Sequence, residues 1–204
     1  MVSGLLTRAA ATLDYTSATE PYNTSDAGER ISPQVRGVAD FTGRKLRVGL
    51  NLTILVGTMT GTAEMVAQEV QTALESVGHA ANIRMMDNLD AGVFAGGGTF
   101  LICTSTYGQG DVPDNAQEFF ASLERDRPDL SAVTYGVIAL GDLTYKDTFC
   151  EGGIRFDSLL TELGARRVGE MLKHDASSGT LPEEVAAQWI VPWAEAVETT
   201  GKLQ

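Results

Sequence analysis

From residue 47 onward, short apolar runs alternate with longer stretches whose apolar residues recur at helical spacing, and this alternation limits the fold more than any other feature. Residues 47–58 place Val48, Leu50, Leu52, Ile54 and Val56 at every second position, with Leu55 also apolar, as a strand entering a buried sheet requires. Residues 62–77 then carry Met65, Val66, Val70, Leu74 and Val77 on one helical face, and Gly78 supplies the stop. Residues 82–86 read as a short strand, and residues 99–104, with Phe100, Leu101, Ile102 and Cys103 in succession, as a central one. A helix over 114–125 takes Asn115 or Asp114 as its cap and turns Phe119, Phe120 and Leu123 inward. A buried strand at 133–140, a helix at 154–163 ended by Gly164, and a last strand at 166–172 follow. The final helix opens at Pro182, where a missing N–H costs little, and runs to about Val197. Such an order predicts an α/β fold, a doubly wound five-stranded parallel sheet with helices on both faces.

Residues 1–50 differ from this body. They are rich in Ser, Thr, Asn, Asp and Gly, with no sustained apolar period, and read as an extension that is loosely ordered or packed on the domain formed by 51–204. The net charge of −12 is concentrated in the body: residues 1–50 hold six Arg and Lys against five Asp and Glu, residues 51–204 nine against twenty-two. An acidic body repels nucleic acid and anionic membranes and favours basic protein surfaces, although acidity also serves solubility alone. No apolar run reaches the roughly 18–20 residues that cross a bilayer, so no membrane insertion is expected. The start of the chain lacks the pattern of a secretory signal; the expected compartment is the cytoplasm, with an organelle-targeting peptide (Leu5, Leu6, Arg8, Leu13) as the alternative. Two cysteines and two histidines, none in an array, predict neither a disulfide framework nor a metal site.

In a doubly wound sheet, ligands sit beyond the carboxyl ends of the strands, so the loops there carry the chemistry. The first runs from Gly57 to Glu64 and contains Thr58, Met59, Thr60, Gly61, Thr62 and Ala63. Three hydroxyls and a run of amides at a helix N-terminus form a socket for a phosphate. The loop has no Lys or Arg and matches neither the Gly-Lys-Ser/Thr ending of a Walker loop nor a dinucleotide fingerprint, which leaves a terminal phosphate monoester held by neutral donors. A plain helix cap with threonines filling space is the competing reading. The second loop, Ser105, Thr106, Tyr107, Gly108, Gln109, Gly110 and Asp111, sets an aromatic residue before glycines that let the backbone approach a ligand edge. The third, from Leu140, Gly141 and Asp142 through Tyr145 to Phe149 and Cys150, again follows a strand end with an aromatic. Either tyrosine alone is ordinary packing; two beside a phosphate socket suggest a sandwich for a planar ring.

Together these segments, with Pro113, Asp114 and Asn115, resemble the FMN domains of diflavin reductases such as cytochrome P450 reductase and the sulfite reductase flavoprotein. Asp147 to Cys150 and the tail from Leu159 to Trp193 resemble the short MioC-type flavodoxins, and the likeness spans residues 51–198. The resemblance implies a flavodoxin-like fold and a single non-covalent flavin mononucleotide (FMN). It assigns Thr58 to Ala63 to the phosphate, Tyr107 and Tyr145 to the two faces of the isoalloxazine, and the backbone near Gly108, with Ser105, Thr106 and Gly110, to its edge. The resemblance also implies that Leu140, Gly141, Asp142, Phe149 and Cys150 complete the third wall, and that Asp175 matches an acidic position near the cofactor. The implied function is that of a monomeric electron carrier between a separate NAD(P)H-dependent reductase and an acceptor, both presenting basic surfaces. The acidic residues expected at the docking rim are Asp111, Asp114, Glu118, Asp142, Asp147 and Glu151. An FMN-dependent NAD(P)H quinone or azo-compound reductase is the alternative on a related fold.

Overall fold

A computed structural model describes residues 49–201. The expectations placed on residues 1–48, the extension above all, lie outside the described residues. Among the described residues six parallel strands form one sheet: β1 (Asn51–Gly57), β2 (Ala80–Met85), β3 (Gly98–Ser105), β4 (Val133–Gly141), β5 (Arg166–Arg167) and β6 (Leu172–Asp175). Four helices alternate with them: α1 (Thr62–Ser76), α2 (Asp114–Asp126), α3 (Glu151–Glu162) and α4 (Pro182–Gly201). The sheet order is β2-β1-β3-β4-β5, with β6 also paired to β4. β5 and β6 therefore fill one position, and the doubly wound five-stranded arrangement holds with its last strand split.

The period of two along the central strands decides which helix covers which face. Leu52, Ile54, Val56, Leu101, Cys103, Ile138 and Leu140 pack under α1 and α4. Leu55, Phe100, Ile102, Tyr135, Val137 and Ala139 face α2 and α3, where Phe119, Phe120, Phe156 and Leu160 complete the layer. On α1 the buried stripe is Ala63, Val66, Ala67, Val70 and Leu74, while Met65 and Val77, expected on the inner face, are exposed. Ala63 and Ala67 lie on the buried face instead.

The split of the last strand has a local cause. Between the pairs Tyr135–Arg167 and Ile138–Leu172, four residues (168–171) stand opposite two, so the strand bulges outward at Val168 and Gly169. The bulge leaves the Val168 carbonyl without a ladder partner, and Trp193 Nε1 donates to it at 2.9 Å. The indole reaches that depth because Gly136 lies beneath it; a Cβ there would sit 2.6 Å from the ring. The strand then continues to Asp175, three residues beyond its expected end, and so delivers Asp175 to the rim where β1, β3 and β4 also finish. The chain reverses its winding between β1 and β3, which makes the carboxyl ends of these strands the switch point of the sheet.

Candidate functional site

A cleft of about 470 Å³ opens at this switch point, lined by Thr60 and Thr62 from the first loop, Ser105 to Gly108 from the second, and Leu140 to Asp142, Tyr145 and Thr148 from the third, with Ala176 beyond β6. The structure thus brings three separately predicted loops to one cavity. Thr148 and Ala176 are additions to the expected set: Thr148 lies within the Asp147 to Cys150 motif but has no cofactor role assigned by it, and Ala176 follows Asp175.

The first loop is built for donation. The Thr60 and Thr62 hydroxyls lie 3.4 Å apart on the cleft wall. Gly61, the N-cap of α1, has φ +87°, and no side chain caps the helix, which leaves the first-turn amides to whatever occupies the cleft. Thr58 plays a different part: its Oγ1 accepts the Gly61 N–H at 3.0 Å and closes the loop from within. Ala63 is buried, with its carbonyl accepting the Cys103 thiol. Met59 is exposed, and its Sδ accepts the Asp114 N–H at 3.3 Å.

The cap expected of Asn115 or Asp114 does not form, since Pro113 is the N-cap of α2 and no side chain caps that helix. Asn115 reaches back to the first loop instead, where its Oδ1 accepts the Thr58 N–H at 2.8 Å and its Nδ2 donates to the Val56 carbonyl at 3.3 Å.

The second loop is a tight turn closed by paired backbone hydrogen bonds between Tyr107 and Asp111 (2.9 and 2.8 Å), with Gly108 and Gly110 at φ +53° and +97°. Gly110 faces α3 rather than the cleft, because its missing Cβ leaves room for Glu151. Thr106 Oγ1 accepts the Gly152 N–H, and Arg155 pairs with Asp111 at 2.7 Å, so α3 holds the turn from below. Ser105 Oγ is buried at the cleft and has no hydrogen-bond partner. Since buried hydroxyls are rarely left unpaired, that atom points to a polar ligand atom beside it.

The third loop is pinned from outside. Asp175 Oδ1 accepts the Leu143 N–H and the Ser177 N–H, each at 2.9 Å. The Leu143 amide first, and then the Ser177 hydroxyl, hold the Asp175 carboxyl below the usual carboxylate range. Asp175 is not among the lining residues; it sets the loop that is. Phe149 packs on the α2/α3 layer, and Cys150 is fully buried at the start of α3, its thiol donating to the Ala139 carbonyl at 3.3 Å. Burial pushes that thiol up to about 11, against a smaller opposing effect of Lys173. Neither Phe149 nor Cys150 lines the cleft; both back Gly141, which does.

Tyr107 and Tyr145 flank the cleft and are 49% and 69% exposed, which leaves two large aromatic faces open to a flat ligand. Among the described residues no group of three His, Cys, Asp or Glu side chains is arranged to hold a metal ion, and no helix is long and apolar enough to cross a membrane.

Comparison with known proteins matches the flavodoxin family model to residues 54–189. Flavodoxin YqcA of Pectobacterium carotovorum is 39% identical over 145 residues, covering 71% of this chain and 95% of that protein. Protein MioC of Escherichia coli K12 is 34% identical over 146 residues, 70% of this chain and 95% of that protein. Among solved structures, a cysteine-to-alanine mutant of flavodoxin from Pseudomonas aeruginosa superposes with a TM-score of 0.66 at 39% identity, covering 73% of this chain and 99% of that one.

Proposed function

This chain belongs to the flavodoxin family, FMN-binding electron carriers, and we propose that it takes electrons from a separate NAD(P)H-dependent reductase and passes them to an acceptor protein. The observation that carries the site assignment is the single cleft shared by the Thr60/Thr62 hydroxyl pair, the buried unpaired Ser105 hydroxyl and the two open tyrosine faces.

These residues fit FMN chemically. In the proposed assignment, the Thr60 and Thr62 hydroxyls and the first-turn amides of α1 hold the phosphate, with Thr58 closing the loop behind them, and Tyr107 and Tyr145 cover the ring. The backbone at Thr106 and Gly108, with Ser105, meets its polar edge, and Leu140, Gly141 and Asp142 close the far wall. Hydrogen bonds to a charged group contribute about 1.5–3 kcal/mol each, so several neutral donors suffice for a phosphate without a lysine. When bound, FMN supplies one- and two-electron redox chemistry. The chain's own part is to exclude water from the ring faces, to set the dipoles around the ring edge, and to keep the first loop rigid.

The rim of the cleft supports the partner assignment. Asp114, Glu118 and Asp147 are exposed and Asp142 and Glu151 partly so, while Leu143, Tyr145 and Lys146 are exposed in the third loop between Asp142 and Asp147. Asp111 is neutralised by Arg155 and drops out of the acidic set expected from the sequence. Carboxylates that outnumber Lys146 beside the exposed apolar Leu143 and Tyr145 suit a basic partner surface, steered by charge and docked by contact. The test is stopped-flow transfer between the FMN-loaded protein and a reductase at increasing ionic strength. A steep fall in rate is expected, and a salt-independent rate contradicts the docking assignment. Oxidation of NAD(P)H by the loaded protein alone, at an enzymatic rate, overturns the carrier reading in favour of a stand-alone reductase.

A further inference from the structure

Among the loops of the cleft, the first depends most on a residue outside it. Thr58 begins the loop immediately after β1, and its backbone N–H points at Asn115, 57 residues later in the chain. The same side chain donates to Val56, whose carbonyl also receives the Met86 N–H from just past the end of β2. One planar amide therefore bridges Val56, next to the end of β1, and the first residue of the loop. Its orientation is fixed by its partners, because an amide nitrogen must face a carbonyl and an amide oxygen must face an N–H.

The bridge continues into the loop. Thr58 Oγ1 receives the Gly61 N–H, which holds Gly61 in its left-handed turn and fixes where α1 begins. Thr60 and Thr62, on either side of Gly61, then present their hydroxyls 3.4 Å apart to the cleft. α2 comes near enough to make this contact because Gly57 has no side chain: a Cβ there would lie 2.7 Å from Thr104 Oγ1 and 3.3 Å from the Ala116 methyl. A second tie, from the Asp114 N–H to Met59 Sδ, joins the same helix end to the same loop.

We propose that Asn115 is a positioning residue that holds the Thr58–Thr62 loop in its phosphate-receiving shape, and so sets the preference of this site for FMN over unphosphorylated riboflavin. The proposal rests on the assignment of the first loop to the phosphate. Asn115 touches no ligand itself and does not line the cleft. Its effect falls on the phosphate half of the ligand, since the ring half is bounded by loops that α3 and Asp175 hold independently. Only a side chain with both a donor and an acceptor serves both ends of the bridge; aspartate would keep the Thr58 bond but set a carboxylate against the Val56 carbonyl.

The experiment is to titrate FMN and riboflavin separately into the apo forms of the parent protein, Asn115→Ala and Asn115→Asp, and to compare dissociation constants. Leaving the Thr58 N–H unpaired should weaken FMN binding by about tenfold or more, at about 1.4 kcal/mol per tenfold. Riboflavin affinity should change less than about twofold, so the FMN-to-riboflavin ratio collapses. Asn115→Asp is nearly isosteric and suits a helix start; it keeps the Thr58 bond but sets a carboxylate against the Val56 carbonyl, so it should also weaken FMN more than riboflavin, by less than the alanine form, and it answers the question if that form does not fold. Equal losses for both ligands, or an unchanged FMN constant, overturn the positioning role. A parent protein that binds both ligands equally well refutes instead the assignment of the first loop to the phosphate.

Discussion

Gly141 ends β4 and opens the third loop, and replacing it with alanine should loosen the far wall of the cleft through steric contact alone. Its φ lies outside the left-handed region, so no backbone strain accompanies the change. The new Cβ would lie 2.6 Å from the Cys150 amide nitrogen and 3.0 Å from both Cys150 Sγ and Phe149 Cδ2. The ring of Phe149 is only partly buried and can yield, but the Cys150 amide belongs to the backbone at the start of α3, itself at φ +59°. Overpacking of this kind costs about 1–3 kcal/mol, offset by about 0.4–1 kcal/mol from the restricted unfolded chain. A net loss of about 1–2 kcal/mol lowers Tm by about 2–8 °C in a domain of this size. Thermal unfolding of the apo protein followed by circular dichroism measures the loss. Cys150→Ala removes the sulfur contact and leaves the amide contact, so the double variant should recover less than half of it. An apo Tm within about 1 °C of the parent, well below the cost of overpacking, would refute the packing described for this wall.

Asp175 carries a depressed carboxyl and therefore stabilises the fold fully above the unfolded-chain value, near about 3.9, and progressively less as pH falls through its lower folded value. Asp175→Asn should be less stable than the parent near about pH 6 and converge with it in acid, as read by urea midpoints across that range. The Cys150 thiol, raised to about 11, contributes fully below its ordinary value of 9.0 and loses that contribution as pH rises through about 11. It should resist iodoacetamide in the native protein at about pH 8 and react on unfolding, a contrast that mass spectrometry reads directly. Gly61→Ala meets no atom within 4 Å but must hold φ +87°, so it should cost about 1–2 kcal/mol, and Gly61→Asn distinctly less, by the same urea midpoints.

The fold was largely legible because a sheet covered on both faces demands near-continuous apolar strands, and β1, β3 and β4 show them without ambiguity. The three loops were legible for the same reason, since each follows a strong strand end. What escaped the sequence was long-range. Met65 and Val77 match the helical period, yet α1 buries Ala63 and Ala67, because the face that meets the sheet is set by tertiary packing and not by the period alone. The bulge at Val168 depends on Trp193, 25 residues away, and on the space over Gly136. Asn115 has the chemistry of a helix cap, and its use across 57 residues follows only from the approach of α2 to Gly57. Asp111 looked like a free acid until α3 brought Arg155 to it across 44 residues.

The central claim is that one cleft grips a phosphate with uncharged donors while two tyrosines enclose the attached ring. A crystal structure of the FMN-loaded protein tests it most directly. The phosphate should lie within hydrogen-bond distance of the Thr60 and Thr62 hydroxyls and the first-turn amides of α1, with the ring between Tyr107 and Tyr145. A phosphate resting on Lys146 or Lys173, or a ring that leaves either tyrosine face bare, would contradict it.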